Sequence, residues 1–233
     1  MRKILGALSL ASFAWIVGNA SRQAESPQTR LFRLDSMHGL ETVNTKADIV
    51  PYRGRKALHL ATTPNQKIDE GSMLALVNGL EFKDGIIEVE VVGIPITAID
   101  PSGRGFAGVV FRTHEHGASA ENIYLRPTNG RADDQLRRNH AVQYESIPDF
   151  PWDRLRREQP GVYESYTDLE VGAWTKMKIE VAGRSARLYV NGATQPCLIV
   201  NDLKLGETRG QVGLWAHIAT NAYFSNLKIT QTN

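Results

Sequence analysis

Disulfide bonding is the first thing this sequence rules out. Cys197 is the only cysteine in 233 residues, so no internal bridge can form. A lone cysteine at a strand start reads as a small buried hydrophobe, not a nucleophile. Cationic excess is missing as well: once Arg2 and Lys3 are set aside, the remaining Lys and Arg equal the 25 Asp and Glu in number. A chain so balanced, without a Lys/Arg cluster, is a poor partner for nucleic acid or an anionic membrane surface. After Ala20 no apolar run approaches the roughly 20 residues that a spanning helix needs. Helical periodicity never lasts three turns past that point. There is no internal repeat, no linker, no phosphate-cradling glycine loop and no Ser-His-Asp motif.

The first feature present is an export signal. Arg2 and Lys3 precede an apolar run over residues 4–17, and Gly18-Asn19-Ala20 supplies the small residues that a signal peptidase inspects. The expected organisation is a signal peptide at 1–20 and one domain at 21–233, periplasmic or secreted. A chain of that length can bury about 70% of its unfolded surface without covalent staples.

Most later segments alternate apolar and polar residues with period two. Residues 55–62, 72–77, 84–93, 105–114, 122–126, 140–145, 174–181, 186–190, 211–217 and 223–230 all read as strands, rich in Val, Ile, Tyr and Phe. Ala182-Gly183-Arg184-Ser185 makes a tight hairpin, and Asn191-Gly192 is a favoured type I′ pair. One helical scrap, residues 151–159, ends at Pro160-Gly161. So many short strands predict an all-β fold, a two-sheet antiparallel sandwich of the jelly-roll kind. The segment 127–172 is longer than ordinary connections and carries Tyr144, Phe150, Trp152, Tyr163 and Tyr166. Its aromatic density predicts an ordered, functional segment.

The phrases FAGVVFR (106–112), ENIYLRP (121–127), HAVQY (140–144), ARLYVNG (186–192), VNDL (200–203), GQVGLW (210–215) and AYFSNL (222–227) occur in this order, with Trp174 and Lys178-Ile179 between them. With them the chain resembles the concanavalin A-like lectin/glucanase superfamily, and within it the 3-keto-disaccharide hydrolase-like domains of exported bacterial proteins. The resemblance implies a jelly roll and a carbohydrate partner. It further implies a glycoside hydrolase or lyase acting on a 3-keto-disaccharide-like substrate, whose keto group acidifies the neighbouring C–H. Retaining glucanases of this fold carry a Glu-x-Asp-x-x-Glu strand; the nearest phrase here is Glu88-Val89-Glu90, with Gly93 at the third acidic position. One carboxylate of the required pair is absent, and Glu88 and Glu90 read as the wet face of an alternating strand.

Strand parity selects a candidate ligand face. Ala107, Val109 and Phe111 share one side of their strand, which turns Val110, Arg112 and His114 to the other. By the same rule Ile123 and Leu125 oppose Asn122, Tyr124 and Arg126. Val142 opposes Gln143, while Val212 and Leu214 oppose Gln211, Trp215 and His217. Arg, Asn, Gln and aromatic rings are the residues that sugar hydroxyls and pyranose faces require. Trp152 and Arg156 in the long segment are expected to wall the groove. The ligand-binding candidates are thus Arg112, Asn122, Tyr124, Arg126, Gln143, Trp152, Arg156 and Trp215. The acid–base candidates are His114, Glu145 and His217, with Tyr124 beside them. His114 and His116 open a divalent-metal reading with His140 or His217, but Gly117 ends the strand at once and no metal ligand is assigned. Three classes stay open: a glycan-cleaving enzyme, a non-catalytic lectin or laminin G-like module, and an adhesive surface protein. Export makes a direct prediction: N-terminal sequencing of the secreted protein should begin at Ser21, and an uncleaved Met1 would contradict the signal.

Overall fold

The computed structural model describes residues 27–63 and 72–232. The expected signal peptide lies outside the described residues. In chain order the strands begin β1 (Gln28–Phe32), β2 (Leu40–Val43), β3 (Lys46–Tyr52), β4 (Arg55–Ala61), β5 (Met73–Val77), β6 (Asp84–Pro95), β7 (Ala107–His114) and β8 (Ser119–Leu125). They continue β9 (Val142–Ile147), β10 (Glu164–Ser165), β11 (Thr175–Ala182), β12 (Ser185–Val190), β13 (Leu198–Val200), β14 (Gln211–Ala216) and β15 (Thr220–Thr232). Three short helices, α1 (Pro127–Gly130), α2 (Gln135–Asn139) and α3 (Trp152–Glu158), all belong to the long segment.

The strands form two antiparallel sheets. One runs β13-β12-β11-β6-β15-β4-β3, with β1 also paired to β15; the other runs β10-β9-β8-β7-β14-β5-β2. Each period-two segment lies on a strand, as its alternation predicts. The strands that the alternation rule did not find are β1, β2, β3, β10 and β13. They are short or lie at sheet ends, where burial no longer enforces a clean alternation; β3 even carries Pro51, a residue confined to such positions.

The core lies between the sheets. Leu58, Ile87, Val89, Val91 and Phe224 from one sheet meet Val109, Phe111, Ile123, Val142, Tyr144, Val212 and Leu214 from the other. Burying each large apolar side chain contributes about 1.5–3 kcal/mol. This leaves the glucanase-like phrase decided by geometry: Glu88 and Glu90 face outward from the first sheet. Glu88 accepts from Lys228 at 2.8 Å and pairs with Lys176 at 3.1 Å, and Glu90 accepts from Asn226 at 2.6 Å.

Arg112 breaks the parity of its strand. Its φ is +50°, and the register slips on both sides of it, between Phe111 and His114 against β8 and between Gln211 and Gly213 on β14. The bulge re-aims the side chain. It is fully buried at the edge of the sandwich. There it donates to the carbonyl oxygens of Lys83 (3.0 Å), Gly183 (2.7 Å) and Gly206 and to Asp84 Oδ1 (3.0 Å). Arg112 is therefore a structural clamp, joining the start of β6 to the β11–β12 hairpin and the loop ahead of β14. Arg112→Ala should destabilise the protein by about 3 kcal/mol, since it strands buried acceptors; a chemical denaturation midpoint equal to that of the parent would refute the clamp.

Candidate functional site

Register sets a row of residues across the outer face of the second sheet. Trp215 pairs with Gly108, Gly108 with Tyr124, and Tyr124 with Gln143. Gly108 is needed here because its neighbours fill the space above it: a Cβ would lie 2.7 Å from the Tyr124 Cβ. The rings of Trp215 and Tyr124 lean across this gap to a centroid separation of 4.7 Å. Phe106 meets Tyr124 edge-on at 6.0 Å. Together they make an aromatic floor.

On this floor lies a cavity of about 490 Å³, inside the range of about 300–1,000 Å³ usual for small-ligand sites. Asp100, Ser102 and Arg104 enter it from the β6–β7 connection, Asn129 from α1 and Arg137 from α2. His140 follows α2, Glu145 comes from β9, Trp152 and Arg156 from α3, His217 from just beyond β14, and Ser72 from just before β5.

One buried carboxylate organises a wall of the cavity. The Glu164 side chain on β10 is only 1% exposed and accepts from Arg126 Nη1 at 2.9 Å and from Arg156 Nε at 2.9 Å. His140 Nε2 lies 3.4 Å from Oε2, the oxygen that accepts from Arg156 Nε. Burial pushes the Glu164 pKa up, but Arg156 and Arg126 outweigh it and hold the carboxyl below its usual value. Arg126 also donates to Tyr124 Oη (3.2 Å) and to Gln143 Oε1 (2.9 Å), and lies 5.7 Å from the Trp152 ring centroid. Arg156 covers the same indole at 4.7 Å.

Two further titratable groups line the cavity, Glu145 and His217. Glu145 accepts from Asn122 Nδ2 at 3.0 Å and from the Trp152 backbone N–H at 3.2 Å. Burial raises its pKa above the usual carboxylate value despite those donors. His217 is shifted down by burial, with Asp100 partly opposing. Its Nδ1 accepts the Ala219 backbone N–H at 3.2 Å, so the neutral ring carries its proton on Nε2. Arg126 Nε, Asn129 Oδ1 and Trp215 Nε1 are buried without a hydrogen-bond partner among the described residues. Unpaired buried polar atoms are costly, and hydroxyls of a bound ligand would satisfy them.

A family model of the 3-keto-α-glucoside-1,2-lyase-like domain matches residues 48–230. The chain belongs to this family. No curated protein matches it. Among solved structures, a carbohydrate-binding module from Bacillus subtilis aligns with TM-score 0.56 at 17% identity, over 82% of this chain and 95% of that one. Domain 4 of an extracellular arabinanase from Geobacillus stearothermophilus, in complex with arabinotriose, gives TM-score 0.53 at 12% identity, over 89% and 94%. A β-glucanase from Bacillus licheniformis gives 0.50 at 11%, over 91% and 100%. These likenesses establish the concanavalin A-like jelly roll.

Within this 3-keto-α-glucoside-1,2-lyase-like domain, the candidate residues named from the sequence divide. Tyr124, Arg126, Glu145, Trp152, Arg156, Trp215 and His217 line the cavity together. Asn122 and Gln143 do not reach it: both are fully buried, Asn122 behind Glu145 and Gln143 behind Arg126, where its Nε2 donates to the Tyr144 and Tyr163 carbonyls. They position the groups that do. Arg112 is displaced by its bulge. His114 sits past the same bulge, exposed at the strand end, 3.5 Å from Thr208 Oγ1. His116 lies in the following 3₁₀ turn, its Nδ1 paired with Glu41 at 2.5 Å. Among the described residues no group of three or more His, Cys, Asp and Glu is arranged to hold a metal ion. Sequence reasoning missed Arg104, Asn129, Arg137 and Glu164. Their only signal was position in the Gly/Pro-rich connection before β7 and in the aromatic 127–172 segment.

Removing the organising carboxylate should be costly. Glu164→Gln leaves the buried Arg126 charge without its partner and should lower stability by about 3–5 kcal/mol at neutral pH. Because folding lowers the Glu164 pKa, the difference between parent and variant should be full above the unfolded value near 4.3 and shrink as pH falls through the folded one. Denaturation midpoints measured across that range check this, and a pH-independent difference would contradict it.

Proposed function

We propose that the domain is an exported, carbohydrate-cleaving lyase whose substrate is a glycoside oxidised to the ketone at C3. The observation that carries the proposal is Glu145, a buried carboxyl of raised pKa facing an aromatic-floored cavity, in a chain of this family. A ketone at C3 acidifies the C2–H bond, so one well-placed base and one proton donor suffice, without the carboxylate pair of a glucanase.

In this reading the Glu145 carboxylate takes the C2 proton and the electron pair passes into an enolate on the C3 oxygen. Nε2–H of His217 and the unpartnered Nε–H of Arg126 supply the donors that stabilise that charge. The enolate then collapses, the C1–O1 bond breaks, and a C1=C2 double bond conjugated with the ketone forms. The departing oxygen takes the Tyr124 hydroxyl proton, which is free because Arg126 donates to the Tyr124 oxygen and is not donated to. Arg126 supports the resulting phenolate until solvent reprotonates it. Trp215 and Tyr124 provide the platform for the pyranose ring.

The test is turnover of 3-keto-glucosides against ordinary glucosides, followed by ultraviolet absorption of the conjugated enone. Only the oxidised sugars should react. Glu145→Gln should cut kcat by about 10²–10⁴-fold. Because the base must be ionised, activity should fall on the acid side with a midpoint above the usual Glu value of about 4.3. Binding of these sugars with no enone from any of them would leave the domain a non-catalytic glycan-binding module, the role that the same aromatic platform also suits.

A further inference from the structure

Of the four arginines that line the cavity, two are ion-paired and two are not, among the described residues. Arg126 and Arg156 are tied to Glu164. Arg104 and Arg137 have no carboxylate within ion-pair distance among the described residues. The side chain of Arg104 donates only to the Gly103 carbonyl beside it, at 3.2 Å. Asp100, the acid nearest in charge to Arg104, has its Oδ1 occupied by the Ser102 backbone N–H (2.8 Å) and hydroxyl (2.7 Å).

These two arginines come from separate elements, the β6–β7 connection and α2, and the fold brings them to one cavity. Burial and the neighbouring Arg137 charge both push the Arg104 pKa down, so the two guanidinium groups repel each other. Such a pair is unfavourable until an anion sits between them, and guanidinium forks match carboxylate, sulfate and phosphate oxygens. The cavity, at about 490 Å³, has room for a sugar ring on the aromatic floor with a charged substituent beside it. We infer that Arg104 and Arg137 form an anion subsite, and that the glycan taken by this cavity carries a carboxylate, sulfate or phosphate group. The inference rests on the carbohydrate reading of the site and specifies the class of sugar.

Titration of the tryptophan fluorescence of the purified chain tests it, with methyl α-glucoside, methyl α-glucuronide, glucose 6-sulfate and glucose 6-phosphate as probes. At low salt at least one acidic sugar should bind about tenfold or more tightly than the neutral glucoside. That preference should shrink as salt is raised, and the best acidic probe identifies the anion. Arg137→Ala should collapse the acidic-to-neutral affinity ratio, and Arg137→Lys should restore part of it. The Arg137 side chain is exposed and makes no bond within α2, whose capping bond to Asp134 uses the backbone N–H, so both variants keep the fold. Equal binding of neutral and acidic sugars, or an Arg137→Ala ratio matching the parent, overturns the anion subsite alone. Failure of every probe, neutral and acidic, also overturns the anion subsite, while turnover of the 3-keto-glucosides tests the carbohydrate reading separately.

Discussion

A carboxylate taken out of water is tolerated only where cations and donors replace its hydration. Glu164 meets that condition with Arg126, Arg156 and His140, and much of the cavity depends on the arrangement. Arg126 is held by that anion at one end of its fork, which leaves the other amino group to brace Tyr124 and Gln143. Arg156 is pinned to the same anion and carries Trp152 beneath it. One short edge strand, β10, thus fixes side chains from β8 and α3. The long segment spends its residues on this, which is why it folds as a wall and not as a loose connection.

The second constraint is an absence. Between Trp215 and Tyr124 the sheet places Gly108, and two rings that start on strands separated by a third come into contact because nothing stands between them. The aromatic floor is therefore a property of three strands at one register level. Glu145 is placed by similarly indirect means. It is oriented by a buried amide, Asn122, and by the first backbone N–H of α3, so the helix that walls the cavity also positions this carboxyl. Cavity enclosure and carboxyl placement share the same elements.

Parity along a strand read the core well, because each interior residue faces the other sheet and a misplaced one would expose apolar surface. Val109, Phe111, Ile123, Val142 and Leu214 all sit where alternation puts them. The same rule on the outer face put Tyr124, Arg126, Trp215 and His217 on the side where the cavity lies. It failed at Arg112 because a single residue of positive φ shifts the count, and local sequence gives no warning of a bulge whose cause is the loop contacts around it. It also could not separate a side chain that reaches the cavity from one that stops a layer short. Asn122 and Gln143 point in the expected direction and are covered by Glu145 and Arg126.

What the sequence determined by itself was period, composition and the order of its short phrases. Those specify strands, two faces per sheet and membership of a sandwich family, since each depends on residues near one another in the chain. The site was decided by tertiary structure. Arg104, Arg137, Glu145 and Trp215 belong to different elements, and no local pattern records which of them line one cavity. Charge pairing between separate elements, with Glu164 shared by two arginines and two others left without a carboxylate partner among the described residues, exists only once the sheets have closed on each other.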